Sequence, residues 1–179
     1  MNRIISLIII SLILGLSGKY VAVAESTGTR IEGADSAYPE TVVWFSQPGE
    51  ITAIRVLLQE GKKELAVKKA REYAASLENI SGHQAEQMRY FALNALCAAL
   101  TSSGEIEEAI EACNRAIELD PSSWEALNTR GTAYYVSGQA DLALQDYRKA
   151  LDMAHGSDST AELIQFNIGL AEKKKSDSE

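Results

Sequence analysis

Residues 102–121, SSGEIEEAIEACNRAIELDP, and residues 136–155, VSGQADLALQDYRKALDMAH, align without a gap at an offset of 34 residues. Each copy sets a Ser-Gly turn before a helical pattern in which two alanines hold fixed places. Small side chains are needed where two helices approach most closely, and large ones then fill the grooves beside them. A helix–turn–helix unit of this size leaves one apolar face that only a neighbouring unit can cover. The repeat therefore constrains the chain to stacked helix pairs before any other property is considered.

Composition agrees with helix. The 179 residues include only 3 prolines and 7 % aromatics, with 46 % hydrophobic and 23 % charged residues, too apolar for a disordered chain. Length alone argues for one domain. A formal charge of −8 argues against a nucleic-acid partner, because phosphate neutralisation needs clustered cations. The lysine runs GKKELAVKKAR and EKKK are surrounded by acids and read as solvated helix faces.

Residues 1–24 read as a cleaved signal peptide. Arg3 supplies a positive start, Ile4 to Leu16 an apolar run, and Ala22-Val23-Ala24 a small-residue site before Glu25. The run is too short to cross a bilayer, which takes about 20 helical residues, so no stable membrane anchor is expected after cleavage. Export into a bacterial periplasm is the expectation, with secretion as the alternative.

Residues 25–46 read as a flexible lead. TVVWF could form a short strand, but no second strand is evident to pair with it. The expectation is that Trp44 and Phe45 tuck against the first helices. From Pro48 the period becomes helical, and Ile51, Ile54, Leu57 and Leu58 fall on one face before Gly61. A second helix from Lys63 to about Glu78 is expected to bury Leu65, Ala66, Ala70, Tyr73, Ala74 and Leu77. Further helices are expected from Gln84 to about Ser102, from Ile106 to Leu119, from Trp124 with Ser123 as N-cap, and from Asp141 to Met153. A last helix, capped by Ser159 or Thr160, closes in lysines as the helix dipole favours. Seven helices result.

The pattern resembles the tetratricopeptide repeat family, whose unit of about 34 residues follows W-x2-L-G-x2-Y, then A-x3-F, then P. Over 124–157, Leu127, Gly131 and Tyr134 fill the first helix, Gly138 the turn, and Ala143, Tyr147 and Ala150 the second helix. Over 90–123 the same places hold Leu93, Leu96, Cys97, Leu100, Gly104, Ala109, Cys113, Ala116 and Pro121. Arg130 stands where a leucine is usual, and His155 replaces the closing proline. A degenerate copy covers about 47–80, and helix 160–175 is the expected cap, with Gln165, Asn167, Glu172 and Lys173 facing water. The resemblance implies an all-α, right-handed solenoid over 47–175, followed by a tail at 176–179.

In such a stack the first helix of each pair lines the concave face, where the family generally binds peptides or extended segments. Carried onto this chain, the candidate groove residues are Arg55, Phe91, Asn94, Asn128, Thr132 and Tyr135, with Gln59, Ala98, Thr101 and Glu125 beside them. The resemblance thus implies a protein or peptide partner and an adaptor or scaffold role. The alternative is a structural protein whose solenoid ends, Trp44 and Phe45 or the last helix, dock onto another copy.

No catalytic residues are singled out. His83 and His155 are isolated and expected in loops, which leaves neither a zinc site nor a Ser-His-acid set, and no cofactor is expected. Cys97 and Cys113 flank the Gly104 turn on helix faces that meet. Two readings stand, a disulfide stapling the pair or two buried thiols acting as small hydrophobes.

Overall fold

The computed structural model describes residues 28–31, 41–44, 49–154 and 158–178. The expected leader, Phe45 and His155 lie outside these. Among the described residues seven helices are present: α1 Gly49–Gln59, α2 Lys63–Ser76, α3 His83–Ser103, α4 Ile106–Leu119, α5 Trp124–Val136, α6 Ala140–Met153 and α7 Asp158–Ser176. Successive helices pack on one another, α1 with α2, α3 with α4 and α5 with α6, and α7 closes the row against α6. None of the helices among the described residues is long and apolar enough to cross a membrane.

The turns explain the stacking. Gly61, Gly104 and Gly138 hold φ of 71°, 87° and 83°, the left-handed region that other residues enter only with strain. Behind each glycine the next amide closes the same reverse bond: Lys62 N–H to Leu57 O at 2.8 Å, Glu105 to Leu100 at 3.0 Å, and Gln139 to Tyr134 at 2.8 Å. This doubly bonded glycine cap ends one helix and aims the next. The alanine five residues after each glycine, Ala66, Ala109 and Ala143, is fully buried. The degenerate first copy thus shares the turn of the other two. Gly61 and Gly104 stand farther apart than Gly104 and Gly138 because α3 is 21 residues long against 13 for α5.

Packing at the closest approach is tight. A Cβ added to Gly131 would come within 2.7 Å of the Tyr147 ring, so α5 can approach α6 only where a side chain is missing. Tyr147 is wholly buried, and its hydroxyl lies 3.1 Å from Thr132 Oγ1. Cys97 and Cys113 are joined as a disulfide between α3 and α4, with Cα atoms 5.3 Å apart. Ser123 caps α5 by accepting from the Ala126 amide at 3.2 Å.

Several expectations are corrected. Residues 25–46 contain two strands, β1 Gly28–Ile31 and β2 Thr41–Trp44, paired antiparallel with Gly28 opposite Trp44 and Ile31 opposite Thr41. The partner that TVVW lacked is GTRI, whose Gly and Arg hide it from an apolar-alternation reading. β2 lies against α5 and α7 rather than the first helices. Leu65 is 48 % exposed, while Val67 takes the core place beside Ala66. His83 opens α3 instead of lying in a loop, and α7 starts at Asp158, before both proposed caps. Asn167, expected in water, is fully buried.

Candidate functional site

The odd-numbered helices differ from the even ones. On α4, Glu107, Glu108, Glu111, Asn114, Arg115 and Glu118 form a solvent face, as an amphipathic outer helix should. On α3 the eleven residues from Ala92 to Ser102 are all buried, which spans three turns and leaves no open face. Helix α5 is buried nearly as fully, through Ala126–Thr129, Gly131–Ala133 and Tyr135. The face assigned to ligand binding is therefore covered.

The six candidate groove residues divide. Arg55 and Phe91 remain partly accessible, and Phe91 stands edge-on to Tyr90 with ring centroids 5.1 Å apart. Asn94, Asn128, Thr132 and Tyr135 are buried. The Thr132 hydroxyl reaches across to Tyr147 inside the α5–α6 pair and donates to Asn128 O at 3.0 Å. Tyr135 is held by α7: Lys174 Nζ donates to its carbonyl at 2.7 Å and sits 4.6 Å from its ring centroid. Burial pushes Lys174 below the usual lysine range.

The asparagines form a row, one on each of α3, α5 and α7. Asn167 Nδ2 donates to Asn128 Oδ1 at 2.9 Å. Asn94 Oδ1 and Asn167 Oδ1 are buried acceptors with no partner among the described residues. A buried acceptor left unpaired costs about 1–3 kcal/mol. Asn94 and Asn128 were legible as equivalent positions. Asn167 was not, since α7 lacks the repeat's signature residues.

At the N-terminal ends of α3 and α5 a pocket of about 440 Å³ opens between His83, Gln87, Tyr90, Phe91, Leu119 and Glu125. Tyr90 hydrogen-bonds Ser123 and lies 3.5 Å from Glu125. Burial first, and then the Glu125 charge, push the Tyr90 hydroxyl far above its ordinary range, so it stays a neutral donor. Sequence reasoning also left Arg130 unexplained. It forms two bonds to buried Asp146, at 2.7 and 2.8 Å, and one to Asn114 at 2.7 Å, tying α4, α5 and α6 together. The leucine usual in the repeat is replaced by an ion pair whose partner lies on α6. Among the described residues no group of His, Cys, Asp or Glu is placed to hold a metal ion.

This architecture defines the class: a helical solenoid of the tetratricopeptide type. A family model described as TPR repeat matches residues 98–138. The fold is shared with the TPR domain of P58(IPK), at a TM-score of 0.58 and 20 % identity over 73 % of this chain and 34 % of that one. It is shared too with the TPR2B domain of yeast Sti1, described in complex with pHsp70, at a TM-score of 0.56 and 22 % identity over 71 % of this chain and 99 % of that one. Among curated proteins, the peptidyl-prolyl cis-trans isomerase PASTICCINO1 of Arabidopsis thaliana is 30 % identical over 112 residues, 59 % of this chain and 18 % of that protein. A DnaJ homolog subfamily C member 3 homolog of Dictyostelium discoideum is 44 % identical over 54 residues, 30 % of this chain and 11 % of that protein. The chain thus spans less than a fifth of these two relatives.

Proposed function

We propose that this protein is a non-catalytic adaptor that binds an extended segment of a partner protein on its odd-helix face. The observation that carries the reading is the row Asn94, Asn128 and Asn167, which sets buried carbonyl acceptors along three successive odd helices. An extended backbone offers N–H groups along its length, and side-chain pockets beside it would supply selectivity. The solved Sti1 domain of the same fold, described with pHsp70, is in keeping with this use. The matches to isomerases cover too little of those proteins to bring their catalysis here.

The same reading places the protein in the periplasm after removal of residues 1–24, with a secreted location as the alternative. The Cys97–Cys113 disulfide supports an oxidising compartment. The buried asparagines cannot report on binding alone, because removing them also unsettles the core. Arg55→Glu and Phe91→Ala alter the partly accessible end of the face instead. In-cell cross-linking of the exported protein with mass spectrometry is expected to recover a partner with the natural chain and lose it with the double variant, at unchanged helicity. Undiminished capture by the double variant overturns the proposal. Phe166, 48 % exposed on α7, favours a second reading, docking of that end on another copy. Sedimentation as a strict monomer over a concentration series removes it.

A further inference from the structure

The principal helical neighbours of the β1–β2 ribbon are α1 for β1 and α5 and α7 for β2, all odd-numbered. The ribbon therefore lies on the face where the asparagine row stands, and not on the outer face of α4 and α6. An isolated two-stranded ribbon is marginal in water, so this one depends on the helices beneath it. Each of its strands also has one edge that pairs with no other strand among the described residues, a line of N–H and C=O groups. The described helices offer, on that side, two buried carbonyl acceptors without donors, Asn94 Oδ1 and Asn167 Oδ1.

We propose that the two strands Gly28–Ile31 and Thr41–Trp44 are a resident occupant of the odd-helix face, a ribbon seated in cis where an external extended segment would bind. The proposal rests on the adaptor reading above and adds to it the occupant and its chemistry: the edge of a β-branched, polar-backed strand, as in GTRI and TVVW. β2 ends at Trp44 and α1 begins at Gly49, so the tether is short. A short tether holds its segment at an effective concentration on the order of 1 mM. If the untethered ribbon segment has a Kd of about 10 µM for the open face, an external segment would then bind about 100-fold more weakly while the tethered ribbon competes. The ribbon thus sets a threshold that partners must exceed, and any event that lifts it raises affinity without altering the groove.

Two measurements on the full chain test this. In the first, the photo-reactive residue p-benzoylphenylalanine replaces Val43, and the products of irradiation are mapped. Links within one chain to residues of α5 and α7 are expected. Links confined to α4 or α6, or formed between two copies, overturn the proposal. In the second, Val42→Pro with Val43→Pro removes two strand amides, and the probe is a labelled synthetic peptide of residues 28–44. The peptide is expected to bind the proline variant at least tenfold more tightly than the natural chain, by fluorescence anisotropy. Equal affinities, or no binding to either, overturn it. Loss of partner capture in the Arg55→Glu, Phe91→Ala chain together with equal peptide affinities would remove the resident ribbon and leave the adaptor reading standing.

Discussion

Gly131 and Gly169 show how far one residue type can differ in meaning. Both lie inside helices, where glycine costs roughly 0.5–1 kcal/mol relative to alanine. At Gly131 a Cβ would strike the Tyr147 ring at 2.7 Å, whereas at Gly169 it would meet nothing within 4 Å. Gly131→Ala is therefore expected to destabilise the fold by about 1–3 kcal/mol through overpacking, and Gly169→Ala to stabilise it by about 0.5–1 kcal/mol. Chemical denaturation of both variants reads the opposite signs. Gly131 was legible because the repeat pattern asks for a small residue there. Asn167 was not legible, since a polar residue on a terminal helix looks solvated until a buried partner, Asn128 on α5, is placed opposite it. Arg130 failed for the same reason, because its meaning depends on Asp146, sixteen residues away on the neighbouring helix.

Among the elements, the seven helices and their glycine caps follow from local rules, and α4 begins and ends where periodicity and Asp120-Pro121 place it. Within the α3–α4 pair, the disulfide closes a sequence separation of 16 residues. Its reduction is expected to lower unfolding free energy by about 3 kcal/mol on the loop-entropy account. Denaturation with and without reductant measures this, and Cys97→Ala with Cys113→Ala should match the reduced chain apart from the cost of smaller core side chains. The ribbon was the element least legible. GTRI carries no alternating apolar pattern, so its pairing with TVVW depends on the surface both strands lie on. The start of α3 was missed for a related reason, as Gln84, Glu86 and Gln87 are exposed and leave no periodic apolar face there.

Across the whole molecule, adjacent repeats are tied by surface charge as well as by core. Arg71 on α2 reaches Glu105, ahead of α4, and Glu108 on it, each at 2.7 Å. A hydrogen bond from Ser103, and then the Arg71 pair, hold the Glu105 carboxyl below its usual value near 4.5. A depressed carboxyl contributes stability above its unfolded pKa and loses it as pH falls through the folded one. The natural chain should thus exceed Glu105→Gln in stability at pH 7, by no more than about 1 kcal/mol because the groups are exposed, and the difference should shrink as pH falls below the usual carboxylate range. Melting curves across that range check it.

The helices, their glycine turns and the small residues at each crossing were readable from local pattern alone. All of these rest on periodicity, backbone conformation and side-chain volume within one repeat. Which polar residues are solvated and which are buried, and what lies on the odd-helix face, emerged from the packing of distant segments. Burial depends on which neighbours stacking brings from 30 or more residues away. That is why four of the six expected groove residues lie beneath other atoms, and why Asn94, Asn128 and Asn167 form one row.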